Sequence, residues 1–416
     1  MGEVLELAER AWNGDLGEHN VHPGMVLVGL EVFDTDFAFM SAFSNVAAVA
    51  TEDGLVFIDT SSPFHAHKLF AAIRGWSDKR VHTAVYTHGH VDHVFGLGPF
   101  EDEAAAKGWQ RTEVIAHDAC PARFDRYVLT NGYNAVINQR QFNFPEPVFP
   151  REFRYPDRTL QHQLELEVGG TRIELFHDRG ETDDHVWAWI PQKKAIYTGD
   201  LFIWAAPNCG NPQKVQRYPR EWAKALRKMQ KLSAELLLPG HGPPIVGAAR
   251  VNQALAEAAE LLETLVEQTL AMMNEGARLN DILHSVKIPE ALLLRPYLRP
   301  VYDDPRFIVH NLWRLYGGWY DGNPAHLKPA RDADLARVVA DLAGGAQALA
   351  RRAEAEAGQG ELSVASHLVE LATQADPSDR SIHAIRAAIY RSRVAEETSL
   401  MAKAIFEAAA RDSDVD

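Results

Sequence analysis

The segment Thr87–His93, with the sequence THGHVDH, constrains this chain more than any other. Three imidazoles and one carboxylate fall within six consecutive positions: His88, His90, Asp92 and His93. Histidine is the commonest metal ligand in proteins, and a carboxylate is the usual oxygen donor beside it. A helix is disfavoured here, because residues two apart do not face one another on a helix. The apolar residues 81–86 that precede the cluster are typical of a buried strand. We therefore expect a tight turn at the end of a strand, and we expect its side chains to bind two adjacent metal ions.

Length and charge limit the classes of function. At 416 residues the chain is too long for one typical core, so two or three domains are expected. The formal net charge of −15 argues against a nucleic-acid partner, which would require a basic face. No apolar run approaches the length of a membrane span, so no membrane association is expected. Any small anionic substrate would have to be captured by local positive groups and metal ions.

The cysteines and the N-terminal residues indicate the cellular compartment of the protein. Cys120 and Cys209 give no disulfide framework, which fits a reducing compartment. The N-terminal segment lacks the basic and then apolar pattern of a secretory signal. The sequence therefore predicts a cytoplasmic protein.

The pattern of apolar residues changes along the chain near residue 250. Residues 25–250 mix short apolar strands, two probable hairpins (45–59 and 186–197) and amphipathic helices, which indicates a layered α/β domain with helices outside the sheets. A long amphipathic run then begins at Val251, and predicted helices continue to the end. We expect a catalytic domain over residues 1–250 and an all-α second domain over residues 251–410.

Further polar residues follow later strands of the first domain. Glu181 comes after the strand 171–175, Asp200 after 195–197, and His241 after 236–238. Ligands that end several strands of one sheet can converge on one rim, so these side chains can join the histidine cluster. His185, four residues beyond Glu181, competes with it as a ligand.

These blocks, in this order, resemble the metallo-β-lactamase superfamily. Its HxHxDH block is matched in full, its Gly-Asp pair is matched at Asp200, and its Gly-His-Gly is matched at His241. The superfamily usually places a histidine directly after the glycine at position 180, where this chain has Glu181. Glutamate there resembles the alkyl sulfatase branch. Residues 294–327, including the sequence WYDGNP at 319–324, are similar to the helical dimerisation domain of that branch.

The resemblance implies an αββα sandwich followed by the helical dimerisation domain, in a homodimer. It also implies two zinc ions. One would be bound by His88, His90 and Glu181, and the other by Asp92, His93 and His241, with Asp200 as the bridge. Imidazole and carboxylate donors also suit manganese or iron. Asp92 and Asp200 are the expected catalytic residues, and the metal ions would activate a water molecule and neutralise charge on the substrate.

Substrate residues are expected after the bridging carboxylate, where the alkyl sulfatase branch has basic and amide side chains. Asn208, Lys214 and Arg217 occupy that segment, and arginine suits binding of an oxyanion. Tyr133 and Asn134 are further pocket candidates.

The favoured activity is hydrolysis of alkyl sulfate esters to an alcohol and inorganic sulfate. The alternatives are a lactonase, a thioesterase or a phosphoester hydrolase with the same metal core. A di-iron oxidoreductase of the flavodiiron kind is disfavoured, because that class usually carries glutamate where this chain has His90. A non-catalytic binding protein is disfavoured by the complete ligand set.

Overall fold

A computed structural model describes residues 2–16 and 29–414 of the chain. These residues divide into two compact units. The first comprises residues 1–131 and 150–318 within the described ranges, and the second comprises residues 132–149 and 319–416.

The described strands all belong to the first unit. They are β1 (Gly29–Asp34), β2 (Phe37–Ser41), β3 (Val46–Ala50), β4 (Leu55–Ile58), β5 (Val81–Val85), β6 (Glu113–His117), β7 (Arg158–Leu160), β8 (Gln163–Val168), β9 (Thr171–His177), β10 (Val186–Ile190), β11 (Ala195–Gly199), β12 (Leu236–Pro239) and β13 (Ile245–Val246).

Helices lie between the strands and make up most of the chain after them. They are α1 (Glu3–Trp12), α2 (Ala66–Trp76), α3 (Gly98–Lys107), α4 (Cys120–Leu129), α5 (Asn131–Phe142), α6 (Pro219–Gln230), α7 (Ala248–Asn274), α8 (Leu279–Ser285), α9 (Glu290–Leu293), α10 (Pro305–Gly317), α11 (Pro324–Leu327), α12 (Asp332–Leu342), α13 (Ala346–Gly358), α14 (Leu362–Ala375), α15 (Arg380–Glu396) and α16 (Leu400–Arg411).

Two mixed sheets form the centre of the first unit. One runs in the order β1-β2-β3-β4-β5-β6-β7 and the other in the order β13-β12-β11-β10-β9-β8. Their inner faces share one apolar core, to which the first sheet contributes Phe39, Ile58 and Val85 and the second contributes Leu175 and Val186. Burying these two faces against each other is the main favourable contribution to this layer.

Helices cover the outer faces of both sheets. On the first sheet, Phe57 of β4 meets Phe100 of α3, with ring centroids 5.1 Å apart. On the second sheet, Trp187 and Ile196 pack in one core with Trp222 of α6 and with the apolar face of α7. The arrangement is the expected αββα sandwich. Strand alternation gives each sheet two apolar faces, and each face is buried against a neighbouring layer.

The second unit is helical in its described residues. α12 to α16 pack as successive neighbours around small and branched side chains, including Ala350, Ala365, Val369 and Ile382. The predicted all-α character of the segment after residue 250 is confirmed.

The two compact units do not divide at residue 250. The long helix α7 buries Leu255, Leu262 and Leu265 in the core that also holds Trp222, so it belongs to the first unit. α10 does the same through Ile308 and Leu312. The apolar stripes of these helices therefore complete the outer layer of the sandwich. None of the helices in the described ranges combines the length and apolar character needed to cross a lipid bilayer.

Asn45 joins the start of β3 to the loop that follows β12. Its side-chain nitrogen donates to the carbonyls of Pro239 and Gly242 at 2.9 and 2.8 Å, and its side-chain oxygen accepts from the amide of Ala42 at 3.1 Å. All three bonds are buried, so loss of the amide would leave backbone groups without partners.

We predict that Asn45→Ala lowers the free energy of unfolding by about 3 kcal/mol, because each buried unsatisfied group costs about 1–3 kcal/mol. Urea unfolding followed by tryptophan fluorescence would measure the change. Gln230→Ala is the control, because its bond to Asn252 is exposed. The control should change the free energy by less than about 0.5 kcal/mol, and an equal loss in both variants would contradict the prediction.

Candidate metal centre

The seven expected ligands lie at one edge of the sandwich. They follow strands of both sheets and not of one sheet as expected, because β5 belongs to the first sheet and β9, β11 and β12 belong to the second. The turn after β5 carries His88, His90, Asp92 and His93, and the segments after β9, β11 and β12 carry Glu181, Asp200 and His241. They form two groups, in each of which the potential ligand atoms lie within 4.8 Å of one another. One group is His88, His90, Glu181 and Asp200, and the other is Asp92, His93 and His241.

In the first group, two imidazole nitrogens and two carboxylates face one another. Nε2 of His88 lies 2.8 Å from Nδ1 of His90 and 3.7 Å from Oδ2 of Asp200. Nδ1 of His90 lies 3.8 Å from Oε1 of Glu181. His88 and Glu181 are buried, which leaves one partly open side at His90. This group therefore offers four donor atoms, and solvent reaches it beside His90.

In the second group, Oδ1 of Asp200 approaches both imidazoles, at 3.3 Å from Nε2 of His93 and 3.4 Å from Nε2 of His241. Oδ2 of Asp92 lies 3.6 and 3.4 Å from the same two nitrogens. Asp200 thus directs one carboxylate oxygen toward each group, which is the placement that a bridging ligand needs.

These residues fit a pair of metal ions on two counts. Ligand bonds of about 2.0–2.2 Å in tetrahedral geometry place donor atoms about 3.4 Å apart, which is close to the separations in the second group. In addition, Nε2 of His93, Oδ1 of Asp200 and Oε2 of Glu181 are buried without a hydrogen-bond partner of good geometry in the described part of the chain. Buried polar atoms rarely lack partners, so these three atoms indicate sites for cations.

The pKa shifts of His88 and Asp200 favour the forms that bind a metal ion. Burial, with the nearby charges of His93 and His90, lowers the pKa of His88 well below its usual value, so this imidazole is neutral. Burial opposes ionisation of Asp200, but the positive charges of His241 and His93 outweigh it and hold its pKa well below the usual value. A neutral imidazole and an ionised carboxylate are the forms that bind a metal ion. Burial opposes the protonated form of His93 and His241, but the charge of Asp200 outweighs it and raises both pKa values, so these two imidazoles would release protons when a metal ion binds.

Asp59 was not identified from the sequence, although it supports the cluster. Its buried carboxylate accepts from the amide and the hydroxyl of Thr87, at 2.7 and 2.9 Å, and lies 2.7 Å from Nδ1 of His93. This contact leaves Nε2 of His93 facing Asp92 and Asp200. The available signal was the position of an acidic residue directly after the apolar strand β4, at the same sheet edge as the histidine turn.

His185 lies beside the first group of potential ligands but is not a member of it. Its Nε2 accepts from the backbone amide of Asp200 at 3.1 Å, and its ring stacks on His88 with centroids 4.9 Å apart. The side chain therefore orients the backbone that carries Asp200. Glu181, and not His185, belongs to the group of potential ligands.

Asn208 and Arg217, the expected substrate residues, both contact Glu181. The amide nitrogen of Asn208 and Nη1 of Arg217 each approach Oε1 of Glu181, and the same Arg217 nitrogen donates to the carbonyl of Asn208 at 2.8 Å. Arg217 is buried, and its Nε has no hydrogen-bond partner within the residues described. A positive charge thus lies directly beside the carboxylate of Glu181.

The other expected substrate residues differ in their surroundings. Lys214 lies in the same loop, where burial and then the charge of Arg217 lower its pKa to about 8. Tyr133 and Asn134 lie on α5, in the second compact unit, with Tyr133 exposed and Asn134 buried. Their role in substrate binding stays a prediction.

Comparison with protein families identifies two regions. Residues 42–241 match the model of the metallo-beta-lactamase superfamily, and residues 278–415 match the model named alkyl sulfatase dimerisation. The first range contains all seven residues of the two groups.

Curated relatives agree with both matches. The chain is 25% identical over 365 residues to a linear primary-alkylsulfatase of Pseudomonas sp., covering 82% of this chain and 69% of the relative. It is 25% identical over 370 residues to an (R)-specific secondary-alkylsulfatase of Pseudomonas sp., covering 83% of this chain and 56% of the relative. The chain spans 54 to 69% of the length of the alkylsulfatases that it matches.

A solved structure shares the fold. It is the stereoselective inverting sec-alkylsulfatase from Pseudomonas sp., with a TM-score of 0.82 and 22% sequence identity, covering 93% of this chain and 66% of that one. The expected fold class is therefore confirmed across nearly the whole chain.

We predict that Asp59→Asn weakens metal binding in the group of Asp92, His93 and His241 by about 10–100-fold, because the hydrogen bond that orients His93 loses its charge. The other group should change less, because Asp59 reaches it only through Thr87, whose hydroxyl lies 3.0 Å from Nδ1 of His88. Asp59 has a φ of 61°, which asparagine tolerates, so the backbone should be retained. Calorimetric titration of the metal-free protein with Zn²⁺ would measure both affinities.

Asp157→Asn is the control for this experiment, because Asp157 accepts a backbone bond from Val114 away from the cluster. Unchanged affinity of both groups in Asp59→Asn would show that the carboxylate of Asp59 does not orient His93.

Proposed function

Because the chain belongs to the metallo-beta-lactamase superfamily and carries an alkyl sulfatase dimerisation domain, we propose that it is a metal-dependent hydrolase of alkyl sulfate esters. The products would be an alcohol and inorganic sulfate. The observation that carries the proposal is the position of Glu181. A carboxylate takes the place usually held by histidine in the superfamily, and it lies with His88 and His90 in one ligand group.

We propose two zinc ions as the cofactors, with manganese or iron as the alternatives that the same donors allow. His88, His90 and Glu181 would hold one ion, Asp92, His93 and His241 would hold the other, and Asp200 would contact both. Bound divalent cations supply a water molecule of lowered pKa and neutralise the charge of a sulfate ester. Asp92 and Asp200 are the proposed catalytic carboxylates, because Asp92 faces both imidazoles of the second group and Asp200 directs one oxygen toward each group.

The basic and amide groups near Glu181 support an anionic substrate. Nε of Arg217 and the side-chain oxygen of Asn208 are both buried, and neither has a hydrogen-bond partner in the described ranges. Lys214, whose pKa is lowered to about 8, still carries a positive charge for most of the time at neutral pH. In a chain with a net charge of −15, these cations would give the site a local attraction for a sulfate group.

We also propose that the protein is a cytoplasmic homodimer. Both cysteines are free and buried, as expected in a reducing compartment. The match to the dimerisation model includes α12, on which Leu335, Val338 and Leu342 are 54%, 58% and 85% exposed. Their spacing places them on one face of the helix, and such an apolar stripe is typical of an interaction surface. A second copy of the chain is the proposed partner.

We predict that the purified protein releases inorganic sulfate from a series of primary and secondary alkyl sulfates, with one chain length preferred. Asp200→Asn should lower kcat by at least about 10³-fold, because the charge that serves both ligand groups is lost. Ion chromatography of sulfate would measure turnover, and elemental analysis would count the metal ions in each protein.

The control is Asp157→Asn, which should retain wild-type turnover. Treatment with a chelator should abolish activity, and Zn²⁺ should restore it. Turnover of lactones or thioesters without sulfate release would contradict the proposed substrate class. Stoichiometric iron with redox-active absorption bands would contradict zinc hydrolysis.

We predict that Val338→Asp with Leu342→Asp converts a dimer into a monomer, because two charges would be buried in an apolar interface. Light scattering coupled to size-exclusion chromatography at micromolar concentration would measure the mass. Val364→Asp is the matched control, because Val364 is exposed on α14 and not on the stripe. A wild-type mass of one chain would contradict the dimer, and an unchanged dimer in the double variant would contradict the stripe.

A further inference from the structure

Arg123 is a buried cation that neither the ligand set nor the proposed substrate loop uses. It lies on α4 with only 3% of its surface exposed. Its Nε donates to Oδ1 of Asp184 at 2.9 Å, and its Nη2 forms an ion pair with Asp183. A buried arginine destabilises the fold unless carboxylates compensate its charge. Asp183 and Asp184 provide that compensation for Arg123.

Asp184 connects this cation to the histidine turn. The second oxygen of Asp184 accepts from the backbone amide of Gly89 at 3.0 Å. Gly89 lies between His88 and His90, so the bond fixes the peptide that separates the two imidazoles. A Cβ on Gly89 would lie 2.8 Å from Cδ of Arg123, which shows that the arginine stem packs directly on this turn.

The same aspartates belong to the segment that carries Glu181. Asp183 and Asp184 follow Glu181 by two and three residues, between β9 and β10. Arg123 therefore ties together three parts of the chain: helix α4, the turn of His88 and His90, and the segment of Glu181. No corresponding contact reaches Asp92, His93 or His241 among the hydrogen bonds and ion pairs that Arg123 makes in the described residues.

We propose that Arg123 is a positioning residue, which holds Asp184 against Gly89 and so sets the metal affinity of the group of His88, His90 and Glu181. The inference rests on the proposed metal centre. The inference goes beyond the ligands themselves, because it says that the arrangement of His88, His90 and Glu181 depends on the ion pair of Arg123 and Asp184. Neither residue of that ion pair belongs to either ligand group. The group of Asp92, His93 and His241 depends instead on Asp59 and is independent of this pair.

The test measures metal binding in the absence of substrate. Metal-free wild type, Arg123→Gln, Asp184→Asn and the double variant are titrated with Co²⁺, whose visible absorption reports each site as it fills, and with Zn²⁺ against a competing chelator. We expect each single variant to bind one of the two ions about 10–100-fold more weakly and the other with unchanged affinity. The double variant should be no weaker than the worse single variant, because both changes remove the same interaction.

Two further variants separate positioning from general loss of structure. Arg74→Gln breaks the half-buried ion pair with Glu103 on α2 and α3, and it should leave both metal affinities unchanged. Arg123→Lys keeps the charge but cannot contact Asp183 and Asp184 together as the guanidinium does, so it should restore only part of the lost affinity. Circular dichroism would verify folding. If Arg123→Gln does not fold, Asp183→Asn and Arg123→Lys provide the same comparison.

The outcomes are distinct. Equal weakening of both ions, or unchanged binding in folded Arg123→Gln and Asp184→Asn, would overturn the inference, as would a wild-type protein that binds no metal ion. If the wild type binds two ions with the expected pattern but releases no sulfate, the proposed substrate fails and the positioning role of Arg123 stands.

Discussion

The concentration of carboxylates and imidazoles at one edge of the sandwich, where strands of both sheets end, is the constraint on which the rest of this structure depends. Asp92, Glu181 and Asp200 bring three carboxylates to the cluster, and burial in a medium of low dielectric makes their mutual repulsion strong. Burial, opposed by Arg217 and reinforced by the charge of Asp200, raises the pKa of Glu181 well above its usual value. The cluster without cations therefore retains protons, and metal ions would replace them. The layers of the sandwich serve to hold these groups together against that repulsion.

Each group of potential ligands is contacted by residues that are not themselves potential ligands. Asp59 accepts hydrogen bonds from Thr87 and fixes the ring of His93 in the second group. Arg217 and Asn208 contact the carboxylate of Glu181 in the first group, so the residues expected to bind substrate also orient a ligand. In the proposed function, a change at Arg217 would therefore alter both the carboxylate of Glu181 and the binding of the substrate.

Local patterns in the sequence predicted the residues at the centre of the candidate site. They did not predict contacts between residues that are far apart in the sequence. The turn of His88, His90, Asp92 and His93 is contiguous, so its chemistry is visible without a fold. Glu181 and Asp200 could be placed because their positions after β9 and β11 also match, in order, the blocks of the metallo-β-lactamase superfamily. Asp59 could not, because one acidic residue after a strand is common, and its partner His93 lies 34 residues away.

The paired strands were predicted for the same reason. The hairpins β3–β4 and β10–β11 are local and carry their own turn signals, and both form as antiparallel pairs. The course of α7 and α10 was not predictable from periodicity alone. An amphipathic stripe shows that a helix packs on something, but it does not show whether the partner is the preceding domain or the following one.

The position of α10 gives a physical reason for the two matched families to occur in one chain. The dimerisation match begins at residue 278, yet the structure places residues up to 318 in the compact unit of the metal centre. From α10, Asn311 accepts from the amide of Arg217 at 3.3 Å and donates to its carbonyl at 3.0 Å. Just before the helix, the buried carboxylate of Asp303 accepts from the amide of Gly210. The loop that bears Asn208, Lys214 and Arg217 is thus bound near Gly210 and at Arg217 by residues 303–311, which belong to the dimerisation match. A sandwich without that segment would keep the seven potential ligands but lose the contacts that hold Arg217 beside Glu181, so the two family matches both contribute to the candidate metal centre.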